Sequence, residues 1–194
     1  SSGAITFNSA PDFETPGSVA NSNAYSLNVV ASDGTNTDTE AIVVNVTDAN
    51  DNNPVLSVAT PYSVVEGATT VATVTASDAD AGTTITFSLS GTDAADFAIN
   101  SETGAITFAS APNFESPTGG AGNNSNAYSL NVVASDGTNT DTEAIVVNVT
   151  DANDNNPVLS VATPYSVAEN TTTVATVTAS DADAGTTITF SLSG

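Results

Sequence analysis

The chain has 194 residues, a formal net charge of −22 and no Lys, Arg, His, Cys, Met or Trp. That composition removes imidazole and thiolate chemistry, soft-metal sites and Schiff-base lysines, and it leaves nothing to grip nucleic acid. The only catalysis still open is paired-carboxylate chemistry of the glycosidase type, which the placement of the acids described below disfavours, so no enzymatic activity is expected. Disulfides and lysine isopeptide cross-links are impossible too, so any stiffening must come from packing or from bound ions. A hydrophobic fraction of 39%, rich in Val and Ile, belongs to a folded chain despite the charge. No apolar run is long enough to cross a membrane, and there is no signal peptide or initiating Met, so the chain reads as a piece of something longer.

In chain order, the dominant feature is internal repetition. Asn21 to Val64 is identical to Asn124 to Val167, an offset of 103 residues, and Thr69 to Gly91 recurs as Thr172 to Gly194. Gly3 to Phe7 matches Gly104 to Phe108 at an offset of 101, because Pro117 to Asn126 carries two more residues than Pro16 to Asn23. A period near 100 residues is one immunoglobulin-sized sandwich rather than a short solenoid unit. The expected organisation is therefore the C-terminal half of a repeat over residues 1–53, a complete repeat over 54–156 and the N-terminal half of a third over 157–194.

The first half-repeat should supply the last three strands of a sandwich, and the final one the first three. Between them, seven strands are predicted: Pro61 to Glu66, Thr70 to Ser77, Thr84 to Ser90, Asp96 to Asn100, Gly104 to Phe108, Asn126 to Ala134 and Thr142 to Val149. Their inward faces keep period two through Val74 and Ala76, then Ile85, Phe87 and Leu89, then Tyr128, Leu130 and Val132, then Ile145, Val147 and Val149. No segment has a helical period. The fold class is all-β, a tandem of seven-strand Greek-key sandwiches with cores of small β-branched side chains.

Between the repeats stands Asp48-Ala49-Asn50-Asp51-Asn52-Asn53-Pro54, which returns unchanged as Asp151 to Pro157. Hard cations such as calcium take six to eight oxygen ligands, and this run packs carboxylates, carboxamides and free carbonyls into six residues before a proline closes it. For an isolated run of this kind a solvated Asn/Asp turn is the favoured reading, and the rest of the chain reverses that preference. Other calcium motifs fit worse. An EF-hand loop starting at Asp48 needs Gly at its sixth position and Glu at its twelfth but finds Asn53 and Ala59, and one starting at Asp78 ends on Leu89. The sequons at Asn45, Asn123, Asn148 and Asn170 are what an Asn/Thr-rich chain produces by chance, and glycosylation is not expected at them.

With the surrounding elements the run resembles the cadherin repeat. The matching residues, in family order, are Tyr62 to Glu66, Val74 to Asp80 with its Asp-Ala-Asp, Phe87-Ser-Leu89, Phe97-Ala-Ile99, Thr103 to Ile106, Tyr128 to Asp136 and Asp151 to Pro157. The resemblance implies calcium ions, about three per junction, between successive repeats, stiffening a tandem rod. Carried over by residue, the first junction would use Asp12 and Glu14, then Asp48, Asn50, Asp51 and Asn52, then Asp78, Asp80 and Asp136. The second would use Glu66, Glu115, Asp151, Asn153, Asp154, Asn155, Asp181 and Asp183. Together with Asp33 and Glu169, these carboxylates are fifteen of the 22 acids. One departure from the pattern is Asn113 where the first repeat has Asp12, which weakens one position at the second junction.

The resemblance implies an extracellular or cell-surface, secreted location, and the absence of Cys with near-identical repeats favours a bacterial surface protein. Such uniformity suits a spacer or filament better than a recognition head. Neighbouring repeats or copies, joined head to tail, are the expected partners; the half-repeats read either as a window on a longer tandem chain or as ends that complete neighbouring copies. Any cell-surface or polysaccharide target would be engaged by other parts of the parent protein. The rival reading is a calcium-dependent carbohydrate-binding or homophilic adhesion module. It finds no Trp for sugar stacking or for strand exchange.

Overall fold

The computed structural model describes residues 3–119 and 125–194. Its strands in chain order are β1 (Ala24–Ser32), β2 (Thr37–Asn45), β3 (Val55–Ser57), β4 (Tyr62–Val65), β5 (Thr70–Thr73), β6 (Thr75–Ser77) and β7 (Thr86–Ser90). They continue as β8 (Phe97–Ile99), β9 (Ala105–Phe108), β10 (Ala127–Ser135), β11 (Thr140–Thr150), β12 (Val158–Ser160) and β13 (Thr178–Ser180). A single 3-10 turn, Ala94–Asp96, precedes β8 and is the one helical element among the described residues. The protein is all-β.

The chain packs as two compact units that cut across the sequence period. One comprises Ser1–Leu56, Ala76–Thr86 and Ala134–Asp141; the other comprises Ser57–Thr75, Phe87–Val133 and Thr142–Gly194.

The second unit holds the sandwich. One sheet has the order β4-β11-β10-β7 and the other β5-β9-β8. β4 runs parallel to β11, with Tyr62 opposite Val147 and Val65 opposite Thr150, whereas β9 pairs antiparallel with both β5 and β8. Alternation along each strand points one face inward. The interior is Val64, Val74, Phe87, Phe97, Ile106, Phe108, Tyr128, Leu130, Val132, Ile145, Val147 and Val149. Phe97, Phe108 and Tyr128 form an aromatic cluster, with ring centroids 4.4, 5.2 and 5.4 Å apart. The inward faces predicted from period two are buried or half-buried throughout.

The predicted strand over Thr70 to Ser77 is broken at Val74. The Val74 amide donates to the Gly104 carbonyl (3.0 Å), and a Cβ at Gly104 would lie 2.3 Å from the Val74 carbonyl oxygen. Gly104 also has φ +69°, a conformation side chains rarely adopt.

The first unit holds a long antiparallel hairpin, β1 with β2, running in register from Ala24 opposite Asn45 to Ser32 opposite Thr37. Its turn is held by Asp33, whose Oδ1 accepts the Thr35 and Asn36 amides (2.8 and 2.7 Å). The half-repeats carry fewer strands than predicted. Gly3 to Phe7 is unpaired, and residues 158–194 contribute only β12 and β13. In the complete repeat the matching segment, β9, is flanked by β5 and β8; Gly3 to Phe7 has no such neighbours.

Candidate metal centre

Each predicted ligand loop is set by short-range backbone chemistry. At the first junction, Asp12 Oδ1 accepts the Thr15 amide (2.8 Å) and Asn23 Nδ2 donates to the Phe13 carbonyl (2.9 Å), fixing the turn that presents Glu14. The second repeats this with Asn113 accepting from the Ser116 amide (2.6 Å) and Asn126 donating to Phe114 (2.8 Å), presenting Glu115. Asp136 is held by the Thr138 and Asn139 amides (2.7 and 2.6 Å), and Asn139 donates to the Asn52 carbonyl (2.8 Å), tying the linker to that loop. The braces Asn23, Asn126 and Asn139 were not anticipated. An Asn projecting from each loop toward the carbonyl of a ligand segment is the only signal that could have found them.

Among the described residues four triads of carboxylates result, the ligand oxygens of each lying within 4.8 Å of one another. The first unit contains Glu14–Asp51–Asp80 and Asp78–Asp80–Asp136, which share Asp80. The second contains Glu66–Glu115–Asp151 and Glu115–Asp154–Asp183, which share Glu115. Repeat equivalence matches Glu14, Asp51 and Asp80 with Glu115, Asp154 and Asp183. One centre therefore occurs at both junctions, flanked by a different centre at each.

The remaining predicted residues sit around the triads. Asp48 Oδ2 accepts the Ala81 amide (2.6 Å), and Asp151 accepts that of Ala184. Asn52 approaches Asp80 through both its backbone amide and its Nδ2 (2.9 and 2.7 Å), and Asn155 approaches Asp183 in the same way (3.0 and 2.7 Å). Asn50 and Asn153 are exposed, the former with its amide 3.5 Å from the Asp136 carbonyl. Asp181 accepts the Asp183 amide (3.0 Å) and, with Asp12 and Asn113, lies outside the four triads.

The electrostatics are unbalanced. Among the described residues, nine buried side-chain oxygens lack a hydrogen-bond partner, and seven are carboxylate oxygens of Glu14, Asp48, Asp78, Glu115, Asp136 and Asp151. A buried anionic oxygen without a donor is costly, and its neighbours here are further anions. Burial, with the nearby Asp48 and Asp80 charges, raises the Glu14 pKa; burial, with Asp151 and Glu66, raises that of Glu115. Asp154 is raised by burial and by Glu66 and Asp183. Glu66 goes the other way because the Phe114 and Ala152 amides donate to it (2.7 and 2.8 Å). Asp136 is also lowered: burial opposes, but the Asn139 and Thr138 amides prevail. This donor set is oxygen-only and anionic, with Asp80 and Glu115 each belonging to two triads, and it fits a hard divalent cation.

A cadherin domain profile matches residues 60–152. The chain carries a cadherin repeat. Similarity extends to the mouse and human cadherin EGF LAG seven-pass G-type receptor 2, each 38% identical over 177 residues, covering 83% of this chain and 6% of the relative. Human protocadherin Fat 1 is 36% identical over 174 residues, covering 83% of the chain and 4% of the relative. Among solved structures, the protocadherin GammaB4 extracellular domain aligns at TM-score 0.64 with 32% identity, covering 84% of this chain and 27% of that one. Mouse cadherin-23 EC22-24 aligns at 0.61 with 29% identity, covering 92% and 58%. The chain thus spans 4–6% of the length of these full-length relatives. The cadherin repeat is a non-enzymatic, adhesion-type extracellular module, and among the described residues no helix is long and apolar enough to cross a membrane.

Proposed function

We propose that this chain is a calcium-stiffened spacer segment of an extracellular, repetitive cadherin-like surface protein, with repeats at 1–53, 54–156 and 157–194 joined at Asp48 to Asn53 and Asp151 to Asn156. The observation that carries the reading is the set of seven buried, unpartnered carboxylate oxygens, all on residues the motif nominates as ligands. Overlaying the junctions by repeat equivalence gives three successive centres: Glu66–Glu115–Asp151, then Glu115–Asp154–Asp183 with its counterpart Glu14–Asp51–Asp80, then Asp78–Asp80–Asp136. That supports about three ions at a full junction. Asn50, Asn52, Asn153 and Asn155 would complete the shells with amide and carbonyl oxygens.

Calcium would supply no chemistry beyond charge and geometry. Without it, like charges would crowd the joint and favour a bent or mobile linker; calcium held by these carboxylates would neutralise them and stiffen the joint. The near-identity of the repeats favours continuation head to tail into a rod or filament, with target binding elsewhere in the parent protein. Small-angle scattering in calcium and in chelator tests this. A longer maximum dimension with a narrower distribution in calcium is the expected result, and identical profiles would overturn the proposal.

A further inference from the structure

Asn139 is not among the candidate ligands, yet it is half-buried in the loop between β10 and β11. Its backbone amide donates to Asp136 Oδ1 (2.6 Å), while its Nδ2 donates to the carbonyl of Asn52, 87 residues earlier in the linker (2.8 Å). Asn52 in turn holds Asp80, giving its backbone amide to Oδ2 (2.9 Å) and its Nδ2 to Oδ1 (2.7 Å). The Asp80 amide then caps Asp78 Oδ1 (3.0 Å). One network therefore runs through all three acids of the Asp78–Asp80–Asp136 centre. It occupies Oδ1 of Asp78 and of Asp136 and leaves Oδ2 of each buried, with no hydrogen-bond donor among the described residues. The oxygens that the network spares are the ones left for an ion.

We propose that Asn139 is a positioning residue that fastens the linker to the following repeat before any ion arrives and so preorganises the Asp78–Asp80–Asp136 centre. The metal step rests on the calcium reading given above; the fastening does not. Two further bonds attach the linker to the same repeat on either side of Asn52, from the Ala81 amide to Asp48 Oδ2 (2.6 Å) and from the Leu56 amide to Asp141 Oδ2 (2.8 Å). Asn139 supplies the link between them. A carbonyl oxygen has two lone pairs, so Asn52 accepts from Asn139 and keeps one for a cation. An outer donor of this kind orients the ligands without touching the ion.

The test uses the 194-residue chain carrying Asn139→Ala, which deletes Nδ2 and keeps the backbone amide on Asp136. Hydrogen exchange in chelator and a calcium titration are both followed by NMR at the backbone amides of Asn52 and Asn155. Asn36→Ala is the control, because Asn36 has the same sequence neighbours but its Nδ2 donates to Asp33 (3.3 Å). In chelator the Asn52 amide of Asn139→Ala is expected to exchange about fivefold faster than in the parent, with Asn155 unchanged. In the titration, affinity at the first junction is expected to fall about tenfold while the second junction keeps its own. Asn36→Ala should match the parent in both. An Asn52 amide that exchanges as in the parent overturns the fastening, and an unchanged first-junction affinity overturns the preorganisation. Equal losses at both junctions mean general destabilisation and also overturn the proposal. A parent that takes up no calcium overturns the calcium reading and the metal step with it, and the chelator measurement still decides the fastening.

Discussion

The same sequence appears in this molecule in two conditions. β10 and β11 of the complete repeat bury their inward faces against a second sheet, while β1 and β2, with identical residues, hold the same hairpin with that face largely open. Hairpin geometry therefore survives without the sandwich, because register and turn are fixed locally through Asp33 and cross-strand pairing. Gly3 to Phe7 and most of 158–194 instead lose strand character, since their pairing is long-range. Local sequence sets the hairpins, and the opposing sheet decides which other segments become strands.

The largest test of this contrast is in the core. Ile106→Ala is expected to cost about 2–5 kcal/mol in denaturant unfolding of the complete repeat, and Ile5→Ala less than about 0.5 kcal/mol. Equal costs would mean that Ile5 is covered in solution, against its 54% exposure here.

Calcium removal comes next. At a free concentration a hundredfold above Kd, one site adds about 2.7 kcal/mol to stability, so chelator should lower the calorimetric melting temperature. Asp80→Asn should remove most of the first-junction contribution, because two triads share Asp80. Asp38→Asn, outside every triad, should leave it intact.

A smaller effect separates the two junctions. Asn113→Asp keeps the cap on Ser116 and adds a carboxylate, so it should tighten second-junction binding on the order of threefold to tenfold in Kd; Asp12→Asn should loosen the first by a similar factor. Calorimetric titration of each variant reads this directly.

The smallest effect is the pH response of the metal-free chain. Glu14, Glu115 and Asp154 have raised pKa values, so the folded state binds more protons than the unfolded state near and just above pH 4.5. Their stability contribution is present below the ordinary carboxylate range and is lost as pH rises through the raised values. Glu66 and Asp136 are lowered, and their contribution appears above that range and fades as pH falls. Melting in chelator should therefore improve on modest acidification from neutrality and then fall at lower pH. In calcium the first phase should reverse, because protons compete for the same oxygens.

Much of this was legible from composition and spacing. Alternating Val, Ile and Tyr mark β10 and β11, and the Asp, Asn and Glu elements nominated every acid in the four triads. What escaped depends on contacts distant in sequence. The three-residue β3 is too short to show a period. The break at Val74 depends on Gly104, thirty residues on, and the buried Asp93 is explained only by the Ser129 amide it accepts (2.6 Å). Asp12 illustrates a different limit: its type suits a ligand, but the Thr15 amide bound to its Oδ1 (2.8 Å) is visible only in the fold.

The shared carboxylates Asp80 and Glu115 carry a mechanical consequence. If one side chain bridges two ions, the first to arrive orients that carboxylate and lowers the repulsion opposing the second. Filling would then be cooperative, and stiffness would rise over a narrow range of calcium. Such a joint would act as a latch rather than a graded spring, rigid where calcium is plentiful and slack a short way below that level.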